Sequence, residues 1–249
     1  GFTGGRKSIV PGLASERTIA ANHSRSIDPH TSAFAEGIEI GRLAGNRVAE
    51  DLQEAADYVP VRASVQTVLD GEDRLVGIFA GDMGEAHRCA VARARECFAC
   101  PLECPADLVI ANVDKDNWIQ SHKALVNSTR ALSQNGVLIL RAPCGEGLGS
   151  ASFQRWLELG STEKIAERIA DTSDINSQTA FSTLLRGPRT ILVSSLPDSV
   201  VRQMRMTPAG SMEDAVDKAA SRLRSVGLEA PICLLMPQSW LTVPQPNGP

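Results

Sequence analysis

Val137-Leu-Ile-Leu-Arg-Ala-Pro-Cys-Gly-Glu-Gly-Leu-Gly149 runs from a short apolar block straight into a glycine-rich loop. Val137 to Leu140 reads as a buried strand, because a continuous apolar run that short fits a strand covered on both faces. The loop Cys144 to Gly149 follows, and Ser152 to Leu159 then has the pattern of a helix. Strand, loop and helix in that order make a parallel-sheet unit, whose ligand crevice lies beyond the carboxyl end of the strand. The spacing Gly145-x-Gly147-x-Gly149 is not the dinucleotide fingerprint, and no acidic partner follows at the required distance, so NAD binding gains no support.

Working outward, the same alternation recurs. Upstream, Asn117 to Leu132 is helical and closed by Asn135-Gly136, and Asp107 to Ala111 is a short buried strand bounded by Pro105. Downstream, helices are expected at Glu163 to Ala170 and Ser177 to Leu185, a third parallel-type strand at Thr190 to Ser194, and a helix from Ser211 through Leu223. Ser211-x-x-Asp214 is a near capping box for that last helix. Ile232 to Met236 closes the strand series, and the proline-rich tail 237–249 is expected on the surface or crossing back to another domain. Nearer the start, Arg47 to Ala56 is helical, and Val59 to Leu69 with Leu75 to Ala80 reads as a hairpin around Asp70-Gly71. Asp82 caps a long helix to about Phe98. The fold class is α/β, with mixed or parallel sheets flanked by helices.

Composition sets broad limits. The 249 residues are 43% hydrophobic and 22% charged, an ordinary globular balance, and are enough for one large domain or two of usual size. A net charge of -4 argues against nucleic acid as the main partner. No apolar run approaches the ~20 residues of a membrane span, and the first residues lack a signal peptide's regions, so no membrane partner and a cytoplasmic location are expected. Of the six cysteines, Cys97-x-x-Cys100-x-x-x-Cys104 invites a metal reading. No fourth cysteine or histidine completes a set nearby, so Cys89, Cys97, Cys100, Cys104, Cys144 and Cys233 are expected to be small buried thiols in a reducing compartment.

The chemistry-bearing stretch is the first, GFTGGRKSIVPGLASERTIAANH. Gly1, Gly4 and Gly5 permit turns that side chains forbid, Lys7 follows them, and Pro11-Gly12 makes a reversal. Ser15 caps a short helix carrying His23. An amine and an imidazole thus stand on either side of one turn. A P-loop is excluded, because the glycine interval is too short for G-x-x-x-x-G-K-[ST]. Read without further context, a lysine after glycines is a solvated loop residue and a histidine near a helix end is a capping group.

This stretch resembles the core motif of the nickel-pincer lactate racemase family, in which a GFSGGAK-type segment, a VPG turn and an NH pair recur at this spacing. The resemblance extends through ADLVIAN, QSHKAL, NGVLILRAPCGEGLG with FQRWL, and SMEDAVDKA. It implies that Lys7 is the tether of a nickel-pincer nucleotide (pyridinium-3,5-bisthiocarboxylic acid mononucleotide nickel), cradled by Gly4 and Gly5, and that His23 is the nickel ligand. A neutral imidazole suits Ni(II) beside sulfur donors, and a hydrogen-bond acceptor is expected to hold its other nitrogen. Asn22, Ser24 and Ser26 are the neighbours at hand. Gln120 and Lys123 match a family Q-x-x-K pair at the substrate and cofactor end of the pocket. A three-residue offset puts both on one helix face, where the bland alternative is two solvated polar groups. His30, His87 and His122 have no role in the motif, and Trp156 is assigned to the core.

The resemblance further implies two α/β domains. Residues 1–100 and 229–249 are the remainder of a first, cofactor-binding domain that is incomplete in this chain, and 105–226 the second. The expected activity is racemisation or epimerisation of a lactate-like 2-hydroxy acid by reversible hydride transfer, with the N-terminal part of the same enzyme as partner and the isolated chain inactive. Two alternatives stand beside it: an isomerase or dehydratase of a sugar acid on the same cofactor, and a non-catalytic homologue without it. Two departures from the family pattern bear on this. Arg6 stands where the family has a small residue. Asp174-Ile-Asn-Ser-Gln178 lacks the tryptophan of a D-x-W-Q-like block, which implies a substrate larger or more polar than lactate.

Overall fold

Ser15 opens the first helix as the sequence predicts: its Oγ accepts from the Thr18 amide at 3.3 Å, and α1 runs Glu16–Ser24. The computed structural model describes residues 2–246, and the side chains of Ala170 and Pro246 are not described. Gly1 of the glycine-rich stretch and the last three residues of the tail therefore lie outside the described residues. The chain divides into two compact units, Gly1–Cys97 with Thr162–Gln178, and Phe98–Ser161 with Thr179–Pro249.

In the first unit, β1 (Ile27–Asp28) and β2 (Ala33–Phe34) form a short antiparallel ladder. Asn46 caps α2 (Arg47–Asp57) by accepting from the Ala49 amide at 3.2 Å, and Ala49, Leu52 and Ala56 make its buried stripe. The predicted hairpin is present as β3 (Ser64–Leu69) and β4 (Leu75–Gly81), with Asp70 Oδ1 accepting from the Glu72 and Arg74 amides in the turn. Its residues alternate as a half-buried ribbon must: Gln66 and Val68 are buried, Val65 and Leu69 exposed. Asp82 then caps α3 (Met83–Phe98) through the Glu85 amide at 3.0 Å.

The chain continues through β5 (Ala99–Leu102), β6 (Ala106–Asn112), α4 (Trp118–Thr129), β7 (Leu132–Arg141) and α5 (Ala151–Leu157). Next come α6 (Thr162–Asp171), grouped with the first unit, and α7 (Ser177–Arg186). Then follow β8 (Thr190–Val193), α8 (Asp198–Gln203), β9 (Thr207–Ala209), α9 (Met212–Ser225), β10 (Cys233–Met236) and β11 (Val243–Pro246). Five strands form one parallel sheet in the order β10-β6-β7-β8-β9. One face buries Leu108, Val137, Ile139 and Ile191 against Ala215, Ala219 and Leu223 of α9. The alternate residues Val109, Leu138, Leu140 and Leu192 are equally buried, so the sheet is covered on both sides as its continuous apolar runs require. After β6 the chain proceeds to β7, β8 and β9 on one side and returns to place β10 on the other. The carboxyl end of β6 is therefore a switch point, where open parallel sheets take ligands.

Three features differ from expectation. The helix read as Asn117 to Leu132 ends at Thr129, and β7 begins at Leu132 instead of Val137. Asn135 and Gly136 lie inside that strand, where its register on β6 shifts between Ala106 and Leu108, so the pair serves a bulge instead of a helix stop. Second, of the segment 229–249, expected with the first domain, residues 233–236 and 243–246 form β10 and β11, which pair with β6 and β5 of the second unit. Both β5 and β11 contain proline, which a two-stranded ladder tolerates on its free edges. Third, the thiols are not uniformly buried: Cys144 is, Cys89 and Cys100 are half-buried, and Cys97, Cys104 and Cys233 are exposed. Apolar side-chain chemistry alone does not pull a cysteine inside when its segment lies at the surface. Among the described residues, no helix is long and apolar enough to cross a membrane.

Candidate functional site

Gly4 and Gly5 have φ of 73° and 52°, the left-handed region that favours glycine. Space is equally restrictive. A Cβ on Gly4 would stand 2.4 Å from Gln66 Oε1, and one on Gly5 would stand 2.6 Å from His87 Cγ. The Gly5 amide donates to Gln66 Oε1 at 2.9 Å, and His87 Nε2 lies 3.0 Å from the Thr3 carbonyl. A carbonyl only accepts, so Nε2 carries the His87 proton. The loop is thus pinned from behind by β3 and α3, and turns directly into a single 3₁₀ turn, Gly5–Ser8, that carries Lys7. Lys7 is half-buried and its amide donates to the Gly4 carbonyl at 3.1 Å.

His23 lies in the last turn of α1, half-buried. Its Nδ1 lies 2.9 Å from the carbonyl oxygen of Ile19, one turn earlier. That contact requires a proton on Nδ1 and leaves Nε2 as a bare lone pair, with no hydrogen bond to any described residue. Burial, the largest influence, pushes His23 below the usual histidine range. The Ile19 contact opposes that shift, the Lys7 ammonium adds to it, and the Asp174 carboxylate opposes it. The Lys7 charge thus reaches His23 within the first unit. Gln178 Nε2 donates to the His23 carbonyl at 3.0 Å, so the Asp174–Gln178 segment is anchored on the same helix end.

None of the three neighbours considered for the second imidazole nitrogen bonds to it, although Asn22 Oδ1 is buried without a partner. Asn22 Nδ2 donates to the Val48 carbonyl at 3.1 Å and to Asp51 Oδ2 at 2.7 Å; Ser24 Oγ donates to Ala21 and Ser26 Oγ to His23, both carbonyls. The group that does the work is a backbone carbonyl of the same helix, which no side-chain pattern could have announced. Gln66, His87, Asp174 and Gln178 are the other site-shaping residues that the motif did not reveal.

In the second unit, Gln120 and Lys123 occupy the N-terminal half of α4, just after the carboxyl end of β6. Both are exposed and on one face, with Lys123 Nζ donating to Gln120 Oε1 at 3.4 Å. Asn117 caps α4 through the Gln120 amide, and the glycine loop after β7 docks beside it through the Trp118 amide to the Gly147 carbonyl at 3.0 Å. On the inner side, Trp118 is fully buried and its Nε1 donates to Thr183 Oγ1 at 3.2 Å, which fixes the outward direction of the Gln120–Lys123 face.

Chemically, His23 offers an imidazole with its Nε2 lone pair defined and Lys7 an amine, both in the first unit. Among the described residues, no group of three His, Cys, Asp or Glu side chains could hold a metal ion. A ligand set containing His23 would therefore be completed by donors other than these protein side chains. A sulfur-bearing nucleotide attached to Lys7 fits that donor chemistry, and a half-buried amine beside a glycine turn fits the attachment.

Two family models match the chain: one described as Lactate racemase C-terminal domain over residues 103–235, the other as Lactate racemase N-terminal domain over residues 1–34. The lactate racemase of Lactiplantibacillus plantarum is 28% identical over 236 residues, covering 89% of this chain and 54% of that protein. That of Thermoanaerobacterium thermosaccharolyticum is 30% identical over 234 residues, with 89% and 53% covered. The chain thus spans about half the length of these curated relatives. Among solved structures, the lactate racemase apoprotein from Thermoanaerobacterium thermosaccharolyticum matches with a TM-score of 0.85 at 25% identity, covering 98% of this chain and 59% of that one.

Proposed function

The chain belongs to the lactate racemase family, and from that premise we propose that it forms part of a racemase or epimerase of a 2-hydroxy acid. The observation that carries the reading is that Lys7 and His23 lie in one compact unit, with burial favouring a neutral His23 ring and the Ile19 contact placing its proton on Nδ1, which leaves the Nε2 lone pair bare. In this reading, Lys7 attaches the nickel-pincer nucleotide and His23 Nε2 supplies the protein's ligand to the nickel. When bound, that cofactor supplies reversible hydride transfer at C2 of the substrate. Gly4 and Gly5 keep the approach to Lys7 narrow and fixed, and Gln66 and His87 hold them there. Lys123 meets the substrate carboxylate with its ammonium, and Gln120 orients that ammonium while offering a hydrogen bond of its own.

Removal of the hydroxyl proton needs a base. His87 is turned inward by its bond to Thr3, the Nε2 of His122 is buried, and His30 is exposed in the turn between β1 and β2. We assign the base to the N-terminal part of the same enzyme, and expect residues 1–249 alone to be inactive in a location we propose to be the cytoplasm.

A second reading on the same cofactor, isomerisation or dehydration of a sugar acid, has one observation in its favour. The segment that bonds to the His23 helix end, Asp174 to Gln178, carries polar groups and no tryptophan. A substrate with more hydroxyl groups than lactate would find partners there. Two measurements test these readings together. Mass spectrometry of the peptide containing Lys7, with nickel analysis of native material, should find the adduct and the metal; their absence would favour a cofactor-free binding protein. A panel of lactate and sugar acids on the complete enzyme then separates the first reading from the second.

A further inference from the structure

Outside the Lys7–His23 site, the first unit contains a cleft of about 380 Å³ between α2, α3 and the glycine loop. Its lining includes Arg6, Glu50, Gly84, His87, Arg88 and Arg95. Arg6 is only 5% exposed. Its Nε is fully buried without a hydrogen-bond partner, and no carboxylate of the described residues is within ion-pair reach of its guanidinium. Arginine stays charged at any physiological pH, so a guanidinium whose Nε is buried without an acceptor is a costly arrangement that a ligand would relieve.

The other charges of the cleft are already committed. Arg88 pairs with Glu85 at 2.6 Å on the exposed rim. Arg95 donates to the Gly41 carbonyl at 3.0 Å and lies over the Phe2 ring. Glu50, the acid in the lining, accepts from the Gly45 amide at 2.7 Å. His87 donates its Nε2 proton to Thr3 and is held neutral by burial, so it adds no charge. Gly84 belongs to the first turn of α3, whose sixteen residues direct the positive end of their dipole to this side. Asp82, the cap of that helix, faces the same turn.

We propose that this cleft binds a phosphate-type oxyanion, with Arg6 as its buried anchor and Arg88 and Arg95 at its mouth. A tetrahedral dianion accepts from a guanidinium fork and from helix-terminal amides together, which a planar carboxylate does less completely. The anion is either free phosphate or the phosphate of a mononucleotide. The inference does not rest on the racemase reading, because it needs neither nickel nor substrate.

Calorimetric titration of the 249-residue chain with inorganic phosphate tests it. Saturable binding is expected, weakened about tenfold or more by Arg6→Ala and a few-fold by the rim variant Arg88→Ala. Competition by a pyridine mononucleotide would identify an esterified phosphate as the natural occupant, and its failure to compete would identify the free ion; both outcomes support the site. Where circular dichroism finds Arg6→Ala unfolded, Arg6→Lys replaces it: the charge is kept but the fork is lost, so a several-fold weakening supports the proposal. Absence of saturable phosphate binding to the wild-type chain, or unchanged affinity in the folded Arg6 variant, overturns it.

Discussion

The Nδ1 of His23 lies 2.9 Å from the carbonyl oxygen of Ile19, and this one contact decides which nitrogen can act as a ligand. Because the acceptor is backbone, the tautomer survives any substitution at position 19 that keeps α1 intact. Long-range proton–nitrogen NMR on the metal-free chain should show a protonated Nδ1 and a bare Nε2 at His23. A spectrum dominated by the Nε2–H form would remove the basis for the ligand assignment. In native material, His23→Phe is expected to lose nickel while the circular dichroism spectrum stays unchanged.

Alanine at Gly5 should be among the most damaging single changes near the site. The residue would be held at φ 52° with its Cβ 2.6 Å from His87 Cγ, and His87 is itself fastened to Thr3. Strain of this kind costs about 1–3 kcal/mol, beyond any loss of packing. Gly145→Ala is the control, since its Cβ would meet nothing within 4 Å and its φ is not positive. Urea denaturation should separate the two clearly, and equal midpoints would contradict the pinned-loop account.

Much of this architecture was legible in the sequence because its signals are local. Ser15, Asn117 and Ser211 each accept from the amide three residues on, as helix caps do, and Val137 to Leu140 announces a buried strand by its apolar run. Where signals are non-local, reading fails. Gln66 meets Gly5 across 61 residues, and β11 finds β5 although both carry prolines that argue against strands. The short β9 and α8 offer too few residues for a period to be recognised. The candidate site follows the same division. Lys7 and His23 stand out as residue types in a motif, whereas the carbonyl that orients the imidazole carries no side-chain signature.

Gln120 and Lys123 provide a separation of function from stability. Both side chains are exposed and touch each other at 3.4 Å, a surface contact that contributes little to folding. Each alanine variant should change unfolding free energy by no more than about 0.5 kcal/mol. In the complete enzyme, Lys123→Ala is expected to lower kcat/KM about tenfold or more, largely through KM, if its ammonium binds the substrate carboxylate. Activity indistinguishable from wild type would return the pair to the status of solvated surface groups.

His122 supplies the pH dependence. Burial, reinforced by the Arg186 charge, lowers its pKa from 6.5 to about 3, and its Nε2 is enclosed without a partner. In the unfolded chain this imidazole takes a proton near pH 6.5, whereas in the fold it resists protonation down to about 3. The unfolded state therefore binds more protons across that interval, and stability rises with pH through it. The contribution is complete above pH 6.5 and is lost progressively as pH falls toward 3. His122→Phe removes the titrating group while keeping a ring beside Trp118, whose centroid lies 6.4 Å away in an edge-on arrangement. Melting temperatures measured from pH 7.5 down to pH 4 should fall more steeply for wild type than for the variant, because carboxylate titration is common to both. Parallel curves would mean that His122 takes up its proton at the same pH in the folded and the unfolded chain.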